Sequence, residues 1–425
     1  MTPVNPTTPP RADAPSAQWE PAPRLLSPTW PSSSNGPIYM DCHATTPLDP
    51  LVVEAMWPFL TEHFGNSGSG HAFGWAAKAA VDQSREILAA ALNASPEEII
   101  FTSGATESNN LAIKGIAETH MEKGRHMITL VTEHPAVLDP CRYLESLGFE
   151  VTLLPVQPDG LVDLELLAQS IRSDTILVSV MLANNEIGVL QPIAEIGAIC
   201  RDRGVLFHTD AAQAIGKVPI DVQAMNVDLM SLTAHKVYGP KGIGALYVRQ
   251  SNPHVRLAPQ LHGGGQEGGR RAGTLFIPQI VGFGRAVELG LAQLEEETTR
   301  TIALRNRLWE QVSAFQGIVP IHLNGHPTQR LPGNLNVTIE GVRGEEVLAA
   351  VQEVAAVSSS SACQSTKVVK GKLSHVLRAI GRVSDPNTAT IRYGIGRFHT
   401  TEDIDRVARA TLGAIDKCRA GAAWY

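Results

Sequence analysis

From Pro37 onward, short runs of β-branched and apolar residues alternate with longer stretches at helical spacing, and this alternation constrains the fold more than anything else in the chain. Strands are expected at 99–102, 127–132, 175–181, 205–209, 229–232 and 243–248. Between them, the Ala-rich stretch 75–92 and the stretch 193–203 read as helices. Connections of that length suit right-handed crossovers between parallel strands, so the reading is an α/β fold with a mostly parallel sheet. No repeat of fixed period is present.

After Thr274 the pattern changes. One long helix is expected, with Val287, Leu291, Leu294, Leu304, Leu308 and Val312 as its apolar stripe. A strand at 334–339, a helix at 345–352, a Ser-rich loop and a last helix at 402–418 follow. A chain of 425 residues exceeds one ordinary core, so this second texture reads as a smaller α+β domain. The expected division is a disordered Pro/Ser-rich tail at 1–35, a large domain at 46–291, and a small domain made of 36–45 and 292–425.

Composition narrows the function classes. A formal net charge of -7 provides no broad basic field for nucleic-acid phosphates, and no apolar run nears the roughly 20 residues that span a bilayer. The first 35 residues lack both the apolar core of a secretory signal and the Arg-rich, acid-poor character of a mitochondrial one. The five cysteines, Cys42, Cys141, Cys200, Cys363 and Cys418, are scattered without metal-site or disulfide spacing, as expected of reduced thiols in a cytoplasm.

Three segments carry chemistry. At 99–111 a strand meets a turn of small residues and then a helix start, where exposed N–H groups and Thr106 suit a phosphate. At 205–213 Asp210 stands at the carboxyl end of a strand, where ligands bind in open α/β sheets, and an acid there can keep a pyridine nitrogen protonated. At 229–244 Lys236 follows His235 amid neutral polar groups and a Gly-rich turn, a setting that suits Schiff-base formation. Taken singly, a capped helix, an N-cap and a solvated lysine explain them as well. Their order along one α/β pattern is the layout of an enzyme that holds a carbonyl cofactor on a lysine.

With these segments stand 41–47 (DCHATTP), 104–110 (GATESNN), 132–134 (TEH), 184–188 (NNEIG), 210–213 (DAAQ), 271–274 (RAGT), 358–363 (SSSSAC) and Ile391-Arg392. In this order they resemble the cysteine desulfurases of the NifS/IscS type, relatives of the class V aminotransferases, over 38 to about 412. The resemblance implies a fold-type I architecture with a seven-stranded sheet, pyridoxal 5'-phosphate as cofactor, and conversion of L-cysteine to L-alanine. Lys236 would hold the cofactor and act as the base at Cα, and His134 would stack on its ring and help move protons. Asp210 would pair with the ring nitrogen and Gln213 with the phenolic oxygen. Ala105, Thr106, Thr233 and His235 would hold the phosphate, with Thr274 reaching the phosphate of a neighbouring subunit in a homodimer. Arg392 would clamp the substrate carboxylate, assisted by Asn185, and Cys363 would take the sulfur as a persulfide for a protein acceptor, in iron–sulfur cluster assembly or another sulfur-requiring pathway. No metal site and no direct nucleic-acid or membrane partner is expected.

Departures from the family pattern are His43, Ala234 and the segment 66–71 (NSGSGH) without its usual proline; none removes a group the chemistry needs. The chain also stops soon after its last helix, without the tail by which some relatives meet their scaffold. A selenocysteine lyase or an aminotransferase of the same fold is the alternative activity. A catalytically silent scaffold would have no use for the intact set of Lys236, Asp210, His134 and Arg392.

Overall fold

The computed structural model describes residues 36–359, 374–383 and 385–422; Cys363 lies outside the described residues. A short strand β1 (Ile38–Tyr39) precedes seven longer ones, β2 (Ile99–Thr102), β3 (His126–Leu130), β4 (Glu150–Leu154), β5 (Thr175–Ser179), β6 (Leu206–Asp210), β7 (Leu229–Thr233) and β8 (Gly244–Val248). The later strands are β9 (Ile321–Leu323), β10 (Asn334–Glu340), β11 (Ala355–Ala356) and β12 (Thr388–Gly394). The helices are α1 (Pro50–Thr61), α2 (Ala72–Leu92), α3 (Ala105–His120), α4 (Pro135–Glu145), α5 (Leu164–Ser170), α6 (Ile193–Arg203), α7 (Ile277–Ala292), α8 (Leu294–Ser313), α9 (Gly344–Gln352), α10 (His375–Ala379) and α11 (Thr401–Ala422).

The main sheet has the order β2-β8-β7-β6-β5-β3-β4. Only β8 runs against its neighbours, pairing antiparallel with β2 and β7, while the other pairs are parallel. Both faces are covered, because successive side chains leave a strand on opposite sides. Ile99 and Phe101 of β2 join a core with α2, α6 and α7, whereas Ile100 joins the opposite core with α3 and α4.

Six of these strands coincide with the runs read from the sequence. β4 has no counterpart there: it is the sheet edge, with Leu153 46% exposed and one fully buried residue, so its hydrophobic signal is weak. The single long helix expected after Thr274 is corrected to two, α7 and α8, broken at Gln293 (φ -109, ψ 4). Leu291 is exposed, so the stripe is interrupted. The break has a packing cause: Val287 faces the main-sheet core, while Leu304, Leu308 and Val312 face a separate core around β9, β10 and β12.

That second core belongs to the antiparallel sheet β12-β10-β9, backed by α8, α9 and α11. β1 pairs parallel with β11, and Ile38 and Met40 enter the second core. The chain then crosses to α1, carrying 41–46 between the two cores. No helix among the described residues is long and apolar enough to cross a membrane.

Candidate active site

The carboxyl ends of the parallel strands form the floor of the site. β2 runs into Gly104 and the start of α3, β3 into His134, β5 into Asn185, and β7 into Lys236, while β6 ends on Asp210. Convergence at this edge follows from parallel pairing, which points every strand-to-helix turn the same way.

The start of α3 is open. Gly104 (φ +149) provides no side-chain cap, so the first-turn amides of a 16-residue helix face outward. A Cβ placed on Gly104 would stand 3.9 Å from Thr233 Oγ1, so the space between α3 and β7 is a cradle of small atoms. Gly244 makes that approach possible, since a Cβ there would lie 2.6 Å from Gly104 Cα and 2.4 Å from Leu232 O. Ala105 and Thr106 line the cradle's rim. An uncapped helix start beside a buried Thr hydroxyl fits a phosphate group.

Asp210 is held rather than free. Asn109 Nδ2 donates to its Oδ2 at 2.7 Å and the Ala212 N–H to its Oδ1 at 2.9 Å. Behind it, His208 bridges Ser179 Oγ (2.8 Å) and Ser231 Oγ (3.0 Å), entirely buried, and burial pushes its imidazole down to about 4. A carboxylate fixed in this way, at a strand end, fits the ring nitrogen of a pyridine cofactor.

His134 caps α4, accepting the Ala136 N–H on Nδ1 at 3.0 Å. The neutral ring therefore carries its proton on Nε2. Burial first, and then the Lys236 charge, push it down to about 4, so it is neutral at ordinary pH. Lys236 is half-buried in a turn that Thr45 and Thr46 clamp. Thr46 N–H and Oγ1 donate to His235 O at 2.8 and 3.0 Å, Tyr238 N–H donates to Thr46 Oγ1 at 2.7 Å, and His235 Nδ1 lies 3.1 Å from Thr45 Oγ1.

Arg392, only 1% exposed, projects from β12, where its NH1 donates to Asn185 O at 2.8 Å and its NH2 to Asp41 Oδ1 at 2.6 Å. Among the described residues its Nε–H has no hydrogen-bond partner. One arm of the fork expected for a carboxylate is thus held by Asp41. Gln213 donates through Nε2 to His43 O at 2.8 Å.

Residues 38–407 match the family described as Aminotransferase class-V. The chain belongs to that family. A relative named cysteine desulfurase IscS, from Rickettsia rickettsii (strain Iowa), is 51% identical over 385 residues, covering 90% of this chain and 92% of the relative. Among solved structures, a NifS-like protein superposes with a TM-score of 0.82 at 35% identity, covering 90% of this chain and 100% of its own. A structure titled SspA in complex with cysteine gives a TM-score of 0.73 at 39% identity, covering 85% and 100%. The class-V aminotransferases and the desulfurases among them depend on pyridoxal phosphate, and the open helix start, the held Asp210 and the neutral His134 fit that cofactor.

Within this class-V chain, the residues singled out from the sequence at the strand ends share one edge of the sheet, and Arg392 reaches it from the smaller sheet. Thr274 is exposed, and no described contact ties it to the others; its loop is anchored where Arg271 meets Glu107 at 2.7 Å. Cys363 lies outside the described residues. Sequence reasoning missed Asn109, Asp41 and Lys217 as contacts of Asp210, Arg392 and Gln213. Asn109 and Asp41 stand inside motifs already noted, but no sequence signal pairs them with residues 101 and 351 positions away.

Proposed function

We propose that the protein is a pyridoxal-phosphate-dependent cysteine desulfurase that converts L-cysteine to L-alanine and passes the sulfur to its own Cys363 as a persulfide. The observation that carries the reading is the joint placement of Asp210, held by Asn109, the neutral His134 and Lys236 at one sheet edge, with Arg392 brought to Asn185. The 51%-identical relative named as a cysteine desulfurase and the similar structure titled as a cysteine complex support it.

The site residues divide the work. The α3 amides at Ala105 and Thr106, with Thr233 and His235, would hold the cofactor's phosphate, with Thr274 contributed by a second copy. Asp210 would keep the ring nitrogen protonated, and Gln213 would donate to the ring oxygen. His134, an uncharged imidazole, would lie against the ring and offer its Nε2–H. When bound, the cofactor supplies an electron sink for the substrate's Cα. Lys236 Nζ takes the proton from Cα. Arg392 meets the substrate carboxylate through its Nε–H and, once Asp41 yields, through its NH2, with Asn185 beside it. The Cys363 thiolate would then attack the substrate sulfur: an S–S bond forms as the C–S bond breaks, the electron pair stays with the substrate's Cβ, which takes up a proton, and the Lys236 ammonium returns a proton to Cα, so that alanine leaves.

A homodimer accompanies this reading. Exposed Trp57, Leu60, Phe64, Phe73 and Trp75 form an apolar surface around the turn from α1 to α2, with Phe64 and Phe73 stacked at 5.4 Å. The sulfur acceptor is a protein of iron–sulfur assembly or of another sulfur-requiring pathway, in the cytoplasm, with the large and small domains divided as 46–291 and 36–45 plus 292–425. The deciding assay is release of alanine and, with a thiol reductant, sulfide from L-cysteine. Lys236→Ala abolishes both products and the cofactor's visible band; Cys363→Ser abolishes sulfide release while leaving the band. A Cys363→Ser protein with full turnover would instead identify a selenocysteine lyase or an aminotransferase.

A further inference from the structure

Lys217 lies four residues beyond Gln213, and its ammonium is enclosed between the two cores, although its stem keeps some surface. Nζ donates to Gln213 Oε1 at 3.3 Å. Among the described residues no carboxylate stands within salt-bridge distance of it, and an enclosed ammonium without a paired acid is costly. Charged and titratable groups face it from every side: Lys236 after β7, Cys42 and His43 after β1, Glu297 on α8 and Arg392 on β12. Beside it lies a small cleft lined by Cys42, His43, Lys217, Glu297 and Thr301.

Two features tie this lysine to the cofactor site. Gly216 (φ +69) lets its backbone close on Val237, where an added Cβ would meet Val237 Cγ2 at 2.4 Å, so Lys217 sits against the neighbour of Lys236. The Gln213 amide is also locked in one sense. Its Oε1 takes the ammonium and its Nε2 donates to His43 O at 2.8 Å, so a flipped amide would set N–H against ammonium and oxygen against oxygen. The second Nε2 hydrogen has no recorded partner among the described residues.

We propose that Lys217 is a positioning residue for the reaction: its ammonium, bound to Gln213 Oε1, aims and polarises the Gln213 amide so that the remaining N–H is presented to the cofactor's ring oxygen. This rests on the desulfurase reading above. Electrostatics agrees: burial, and then the charge of Lys236, press Lys217 down to about 8, and repulsion between two ammonium groups is mutual. An enclosed cation behind the Lys236 turn thus disfavours a second positive charge on the Lys236 nitrogen, as a neighbouring cation does for other Schiff-base lysines.

The test titrates the visible absorbance of the pyridoxal-phosphate-loaded protein for the parent, Lys217→Met, Lys217→Gln, Lys217→Arg, Gln213→Leu and the double variant Lys217→Met/Gln213→Leu. Removing the charge and the aimed donor makes the proton on the Lys236 nitrogen harder to remove, so the midpoint rises by about one pH unit in the Met and Gln variants. Arg, which keeps the charge, restores the parent midpoint, and the double variant moves by less than the sum of the Lys217→Met and Gln213→Leu shifts. A folded Met or Gln variant with the parent midpoint overturns the inference, as does a full additional shift in the double variant. If Met and Gln both fail to fold while Arg folds, the charge is a structural need and the assignment is overturned. A parent protein that takes up no pyridoxal phosphate overturns the functional reading and this inference with it; a parent with its normal band and an unmoved Met variant overturns the inference alone.

Discussion

Arg397→Met is expected to loosen the join between the two cores. The Arg397 side chain is 10% exposed, and its NH1 donates to Asp49 Oδ2 at 2.8 Å and its Nε to Glu297 Oε2 at 2.9 Å. Its guanidinium also lies 4.3 Å from the Tyr238 ring centre. Asp49 caps α1 of the large core, Glu297 belongs to α8 of the small one, and Tyr238 is two residues from Lys236. Methionine fills most of the volume but leaves two nearly buried carboxylates without their cation, a loss of about 3–5 kcal/mol. With an unfolding entropy of about 2.1 cal/mol/K per residue over a chain that melts as one unit, the melting temperature falls by roughly 3–6 °C. The assay is a thermal melt followed by calorimetry at neutral pH, where both carboxylates are charged. A melting temperature within about 1 °C of the parent would refute the reasoning.

Asn109→Ala removes the 2.7 Å hydrogen bond to Asp210 Oδ2, and kcat for alanine formation is expected to fall roughly 10- to 150-fold, the worth of a hydrogen bond to a charged group. Gly244→Ala sets a methyl against Gly104 Cα and Leu232 O, and is expected to cost about 1–3 kcal/mol and to weaken cofactor retention, read by equilibrium dialysis. His134, His208 and His235 are each pushed down to about 4, with burial the first cause. Groups whose folded-state affinity for protons lies below the unfolded value of about 6.5 contribute stability above that pH and lose it as pH falls towards 4. The melting temperature therefore drops across that interval, and His208→Gln lessens the drop in melts at constant ionic strength.

Much of this was legible in the residue order because the relevant signals are local. The runs at 99–102 and 229–232 carry enough buried β-branched and aliphatic residues to announce β2 and β7, and the motifs sit where those strands end. β4 escaped because an edge strand with one buried residue has no pattern to show. The break at Gln293 escaped because helical spacing continues through it, and only the direction of two separate cores separates α7 from α8.

The chemistry of the site belongs to the chain order: an uncapped small-residue turn, an acid closing one strand and a lysine after another are local patterns that a parallel sheet gathers on one edge. The electrostatic setting does not. Asn109 meets Asp210 across 101 residues, Asp41 occupies an arm of Arg392 across 351, and Lys217 reaches the turn beyond Lys236 through the close approach of Gly216 to Val237. Hydrogen bonds and charge repulsion act over a few ångströms in space, and separation along the sequence carries no measure of that distance until the chain has packed.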